Sequence, residues 1–126
     1  MRGGGRQGSS NILEVVVAGD GRLPFRTEVG KTWVSSHLLA RLRSQGLAVA
    51  ARKPAQSFDP ADLHPTDADE LARATGEAAA TVCPLDRWYE VAMAPPMAAD
   101  ALGRPPITLA GLVADMAPWP AGTDVG

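Results

Sequence analysis

The chain has 126 residues, 12 basic and 14 acidic side chains, a formal net charge of −2 and a hydrophobic fraction of 45%. That length suits one domain at most, that fraction can build a core, and the near-balanced charge argues against a polybasic nucleic-acid partner. No run of about 18 apolar residues occurs, so a membrane span is not expected, and the single Cys83 rules out an intramolecular disulfide, which suits a reducing cytoplasm.

The first ten residues, rich in Gly and carrying Arg2 and Arg6, read as a flexible leader, with residues 11–126 as the domain. Residues 12–18, Ile-Leu-Glu-Val-Val-Val-Ala, are β-branched and short, and Gly19-Asp20-Gly21 ends them, as in a buried strand of a parallel sheet. Pro24 keeps the irregular stretch 22–26 from being a central strand. From Lys31 to Gln45 the pattern is helical, with Val34, Leu38 and Leu42 repeating every four residues and Gly46 as the stop. Residues 47–51 return to a short apolar strand, which completes one βαβ unit with parallel strands and a right-handed crossover.

Further along, Thr66 with Asp69 and Glu70 predicts a helix start and Gly76 its end. Residues 81–96, with Pro84, Pro95 and Pro96 around Trp88 and Tyr89, read as a packed loop. Helices are expected at 97–102 and 108–116. The chain then stops at Thr123-Asp124-Val125-Gly126, where a third strand should begin, because two strands do not make a stable covered parallel sheet. The fold class expected is therefore α/β, a parallel sheet with flanking helices, and it reads as truncated.

Ten of the twelve cations are Arg; the two lysines are Lys31 and Lys53. Lys31 lies in Thr27-Glu28-Val29-Gly30-Lys31-Thr32, where a strand hands over to a helix. A helix N-terminus offers amide donors and a positive dipole end to phosphate, Lys31 would reach the outer phosphates, and the Thr32 hydroxyl would hold Mg²⁺. The standard phosphate loop needs Gly at position 25, which is Phe25 here. The same Gly-Lys-Thr could also simply start a helix. Lys53 follows the second strand in Lys53-Pro54-Ala55-Gln56-Ser57, where ligands of doubly wound sheets collect; otherwise it is a surface lysine. A carboxylate at Asp67, in Thr66-Asp67-Ala68-Asp69, suits Mg²⁺ and equally suits a helix's first turn.

Taken in this order, these segments resemble the N-terminal part of the dethiobiotin synthetases, ATP-dependent cyclo-ligases of biotin synthesis with a P-loop NTPase-like fold. Thr27 to Thr32 is similar to the second half of that family's phosphate loop. Lys53, Pro54 and Ser57 resemble its strand-end Lys-Pro and Ser. Thr66-Asp67-Ala68 resembles its metal segment, and Ala94 to Ala99 its Pro-rich stretch before a helix. The resemblance runs from Leu13 to Met116. It implies ATP and Mg²⁺ as cofactors, 7,8-diaminononanoate and CO₂ as substrates, and closure of a cyclic urea.

By the same resemblance, Lys31 and Lys53 are the catalytic cations, and Thr27, Glu28, Val29, Gly30, Lys31 and Thr32 bind the nucleotide. Thr32 and Asp67 hold the metal, Ser57 meets the substrate, and the protein is a homodimer with sites near the subunit interface. Residues 22–26 read as an insertion inside the phosphate loop, and Asp20 stands where the family has Thr. The family continues into a Glu-Gly-Ala-Gly-Gly loop and a base-reading region after the point where this chain stops. Two alternatives stay open. One is a non-catalytic remnant that pairs with another subunit through its apolar surface. The other is a partition-type nucleotide-binding ATPase, which carries Lys then Gly-Gly where this chain has Arg26-Thr27-Glu28.

Overall fold

A computed structural model describes residues 27–116 and 119–126, with the side chains of the opening helix described from Lys31 on. The leader 1–10, the strand expected at 12–18 and residues 19–26 lie outside the described residues. The elements in order are α1 (Thr27–Ser44), β1 (Gln56–Ser57), α2 (Asp67–Thr75), α3 (Ala79–Val82), β2 (Trp88–Tyr89), α4 (Pro95–Ala101) and α5 (Leu109–Met116), with a 3₁₀ turn at Leu85–Arg87. This is a mixed helix and sheet chain with a small parallel sheet, compatible with an α/β fold.

α1 begins four residues before the expected Lys31, at Thr27. Thr27 to Gly30 therefore form the first turn of the helix instead of preceding it. In a regular α-helix the amides of Lys31 and Thr32 then bond to carbonyls four residues back, and the open donors are those of the first turn. The expected stop holds. Gly46 has φ +90°, its amide donates to the Arg43 carbonyl at 3.0 Å, and the Leu47 amide donates to the Leu42 carbonyl at 3.3 Å. A left-handed residue closing two late carbonyls in this way is a Schellman end, and Gly adopts it without Cβ strain.

α2 forms for local reasons. Thr66 Oγ1 accepts from the Asp69 amide at 3.2 Å, and Asp69 Oδ2 accepts from the Thr66 amide at 2.9 Å, a complete capping box. Gly76 ends the helix with φ +81°. A Cβ at that glycine would lie 2.6 Å from the Arg43 guanidinium, so its missing side chain also lets the end of α1 lie against α2. Five of nine α2 residues are buried: Ala68, Leu71, Ala72, Ala74 and Thr75. Leu39, Ala51, Val82 and Cys83 complete that core.

The expected Val34, Leu38 and Leu42 stripe is not the packed face of α1. Val34 is 51% and Leu38 41% exposed, Leu42 is half-buried, and the buried residue is Leu39. The physical reason lies in α2, whose Ala68, Ala72 and Ala74 offer a small-residue surface. Leu39 enters the cluster with those alanines, and the Arg43 guanidinium lies against Gly76 just past the end of α2.

The strand expected at 47–51 is reduced to a parallel bridge, Val49 with Val125. The amides of this extended segment alternate between two neighbours. Ala48 donates to Asp124 Oδ2 at 2.8 Å and Ala50 to the Val125 carbonyl at 3.0 Å. On the other edge, Ala51 donates to Glu77 Oε1 and Lys53 to the Val82 carbonyl, each at 2.8 Å. That second edge continues into the pairs Gln56 with Trp88 and Ser57 with Tyr89, so β1 and β2 are parallel. Residues 48–58 thus form a spine between the chain's last residues and the 77–89 segment. Residues 81–96, expected as a packed loop, contain the end of α3, the 3₁₀ turn, β2 and the start of α4. Tyr89 there is 2% exposed and packs with Ala98 and Ala99. α4 starts at Pro95, two residues before expectation, because Pro at the first helical position has no amide to waste.

Candidate functional site

The spine sets the site. Within it, the polar side chains of Lys53, Gln56 and Ser57 are held by different neighbours. Lys53 Nζ lies 3.2 Å from Asp67 Oδ2, with the two side chains 22% and 32% exposed. The ammonium comes from the middle of the spine and the carboxylate from the first residue of α2. This brings together two residues that the sequence singled out separately.

What positions Asp67 is a residue that sequence reading missed. Gln56, 4% exposed, accepts the Ala68 amide at Oε1 over 3.1 Å and so fixes the start of α2 against β1. Its Nε2 is buried without a hydrogen-bond partner. The signal available in sequence was a polar residue just before Ser57, in the segment read as following the second strand. With the Ala68 amide on Gln56, the Asp69 amide on Thr66 Oγ1 and the Glu70 amide on the Thr66 carbonyl, the start of α2 is already satisfied. Asp67 is therefore not needed as a cap, and its carboxylate faces the lysine.

Ser57 is on β1, and its hydroxyl donates to the Met93 carbonyl in the stretch that leads into α4. Lys31 and Thr32 stand apart on another element, half-buried in the second turn of α1. Thr27, Glu28, Val29 and Gly30 form the turn before them. The hollow lined by Ala40, Arg43, Ser44, Arg73 and Ala74 lies between α1 and α2 and includes none of the predicted site residues.

Beside Lys53, Arg52 Nη1 donates to Glu77 Oε2 at 2.7 Å, with side chains 9% and 13% exposed, and its guanidinium stands 5.6 Å from the Trp119 ring centroid. Glu77 thus closes the Ala51 amide and the Arg52 charge together. The Cys83 thiol is fully buried, and burial pushes its pKa up from 9.0 to about 11, against the opposing pull of the Lys53 ammonium. A thiol so held is an inert core side chain at neutral pH. Among the described residues, no three His, Cys, Asp or Glu side chains cluster to hold a metal. The donors present are the Asp67 carboxylate, already engaged with a cation, and the Thr32 hydroxyl. Both are hard oxygen donors of the kind Mg²⁺ takes, usually with one or two carboxylates and its own waters. Among the described residues, no helix is long and apolar enough to cross a membrane.

No protein-family model matches the chain, and no solved structure matches it. Over 78 residues it is 38% identical to the ATP-dependent dethiobiotin synthetase BioD of Caulobacter sp. (strain K31), a stretch covering 61% of this chain and 34% of that protein. The match thus spans about a third of the length of the curated relative, and it is a modest, partial similarity to a ligase of that name.

Proposed function

We propose that the chain carries the nucleotide- and diamine-binding part of a dethiobiotin synthetase-like ligase, an ATP- and Mg²⁺-dependent enzyme closing a cyclic urea from 7,8-diaminononanoate and CO₂. The observation that carries this reading is the Lys53–Asp67 pair at 3.2 Å, which joins two separately predicted site residues between the spine and α2. The partial similarity to the Caulobacter protein points the same way.

The residue types suit the chemistry. A carbamate and a γ-phosphoryl group both bring negative charge into the transition state, and the ammonium groups of Lys53 and Lys31 would stabilise it. The P-loop role belongs to Thr27–Thr32, whose first-turn amides and dipole end favour an anion. Thr32 and Asp67 would hold Mg²⁺, which when bound neutralises phosphate charge. Ser57 would orient a substrate amine, its hydroxyl being able to donate and accept. A homodimer completes the proposal.

The test is diamine binding. Equilibrium titration of the chain with 7,8-diaminononanoate, with Mg-ATP and bicarbonate present, should show saturable binding. Ser57→Ala should weaken it about tenfold, the scale of one lost polar contact to a charged group. Binding that is absent, or unchanged in Ser57→Ala, contradicts the reading.

The exposed Trp33, Val34 and Leu38 favour a second reading, a partner-binding chain without catalysis. Apolar patches of this kind mark interaction surfaces when they are contiguous. Sedimentation that shows a Val34→Glu-sensitive oligomer, without any nucleotide binding, would select that reading.

A further inference from the structure

The open hollow between α1 and α2 has a volume of about 330 Å³, a size that takes a small ligand. None of its lining residues is acidic, and two are arginines, Arg43 from the last turn of α1 and Arg73 from the last turn of α2. Arginines at helix ends ordinarily serve the late carbonyls. Here those carbonyls have other donors. In α1 the Arg41 carbonyl accepts from Ser44 Oγ at 2.6 Å, the Leu42 carbonyl from the Gln45 and Leu47 amides, and the Arg43 carbonyl from the Gly46 amide. In α2 the Leu71 and Ala72 carbonyls accept from Thr75 Oγ1, and Ala72 also from the Gly76 amide. Both guanidiniums are thus left over from capping. Arg43 has no carboxylate partner among the described residues, and its guanidinium is laid against Gly76, where a Cβ would come within 2.6 Å of it. The carboxylate beside Arg73 is Glu70 at 3.6 Å, beyond hydrogen-bond length, and the Arg73 side chain is 70% exposed.

We propose that this hollow binds a phosphate group between the Arg43 and Arg73 guanidiniums, with the rest of the ligand against Ala40 and Ala74. The planar fork of a guanidinium matches a pair of phosphate oxygens, and two forks balance the charge of a dianion. The Ser44 hydroxyl spends its proton on the Arg41 carbonyl, so the two arginines are the donors that hold the ligand. The ligand is a small phosphate ester or inorganic phosphate itself. Because each arginine belongs to a different helix, an occupied hollow ties α1 to α2 and stabilises the folded chain by mass action. Its lining shares no residue with Thr27–Thr32, Lys53, Ser57 or Asp67, so it stands or falls apart from the ligase reading.

The probes are inorganic phosphate and phenyl phosphate, titrated into the full chain at constant ionic strength without Mg²⁺ or nucleotide. Arginine Nε–H resonances report the binding by nuclear magnetic resonance. Those of Arg43 and Arg73 should shift along one saturation curve. Arg43→Gln and Arg73→Gln should each weaken binding about tenfold, the scale of one charge-assisted contact. Arg41→Gln removes the same charge from the same turn of α1 but lies outside the hollow, and should change binding by less than about twofold, as a screened remote charge does. Phenyl phosphate binding tighter than inorganic phosphate, still through both arginines, assigns an ester; binding no tighter assigns inorganic phosphate. An equal loss in Arg41→Gln means diffuse charge and overturns the site, as does the absence of a saturable shift. Phosphate binding that Lys31→Ala abolishes and both hollow variants keep also overturns it, and leaves the nucleotide reading standing.

Discussion

α1 and α2 lie against each other and are stabilised in opposite ways. α2 has nine residues, a complete capping box, a left-handed glycine end and five buried side chains. α1 has eighteen residues, and of its described side chains Leu39 alone is buried, while Trp33, Val34 and Leu38 face outward. The short helix is over-determined by local chemistry and by packing. The long one owes its place to Leu39 and to Arg43 beside Gly76. Period-four patterning names a possible buried face, but the neighbour's surface decides which face is buried.

The contrast can be broken most strongly at the shared core. Leu71→Ala, which empties the centre of α2, should cost about 2–5 kcal/mol in denaturant unfolding. Next comes Glu77→Ala. It strips the partner from a buried guanidinium and from the Ala51 amide together, and the loss should be about 2–3 kcal/mol. Alkaline pH acts through Cys83. The unfolded thiol ionises near 9.0 and the folded one near 11, so the unfolded state holds fewer protons between those values. Stability should therefore fall as pH rises through that window, and Cys83→Ala should flatten the fall.

Smaller effects sharpen the comparison. Thr66→Ala removes the α2 cap and should cost about 1 kcal/mol, seen as a lower denaturation midpoint at unchanged slope. Leu38→Ala, on the outward face of α1, should change stability by no more than about 0.5 kcal/mol. A loss near that of Leu71→Ala would mean that the outward face of α1 is covered in solution.

Much of the α2 region is legible in the sequence because its signals are local. Thr66, Asp69 and Gly76 each announce a backbone geometry that depends only on near neighbours. The meeting of Lys53 with Asp67 is legible only as two separate candidates, since thirteen positions of loop and strand lie between them in the chain. Gln56 was hidden because its role depends on the Ala68 amide, a partner twelve residues away. β2 was hidden because two residues, Trp88 and Tyr89, are too short a run for alternation to show, and three prolines surround them. The pairing of Val125 with Val49 depends on a contact 76 residues apart, beyond any local pattern.

Calorimetric titration with Mg-ATP tests most directly whether the Thr27–Thr32 turn and Lys31 bind nucleotide. The parent protein should show one saturable site per chain and Lys31→Ala should lose it, with the fold of the variant confirmed by circular dichroism. Equal binding by the folded Lys31→Ala chain would contradict it.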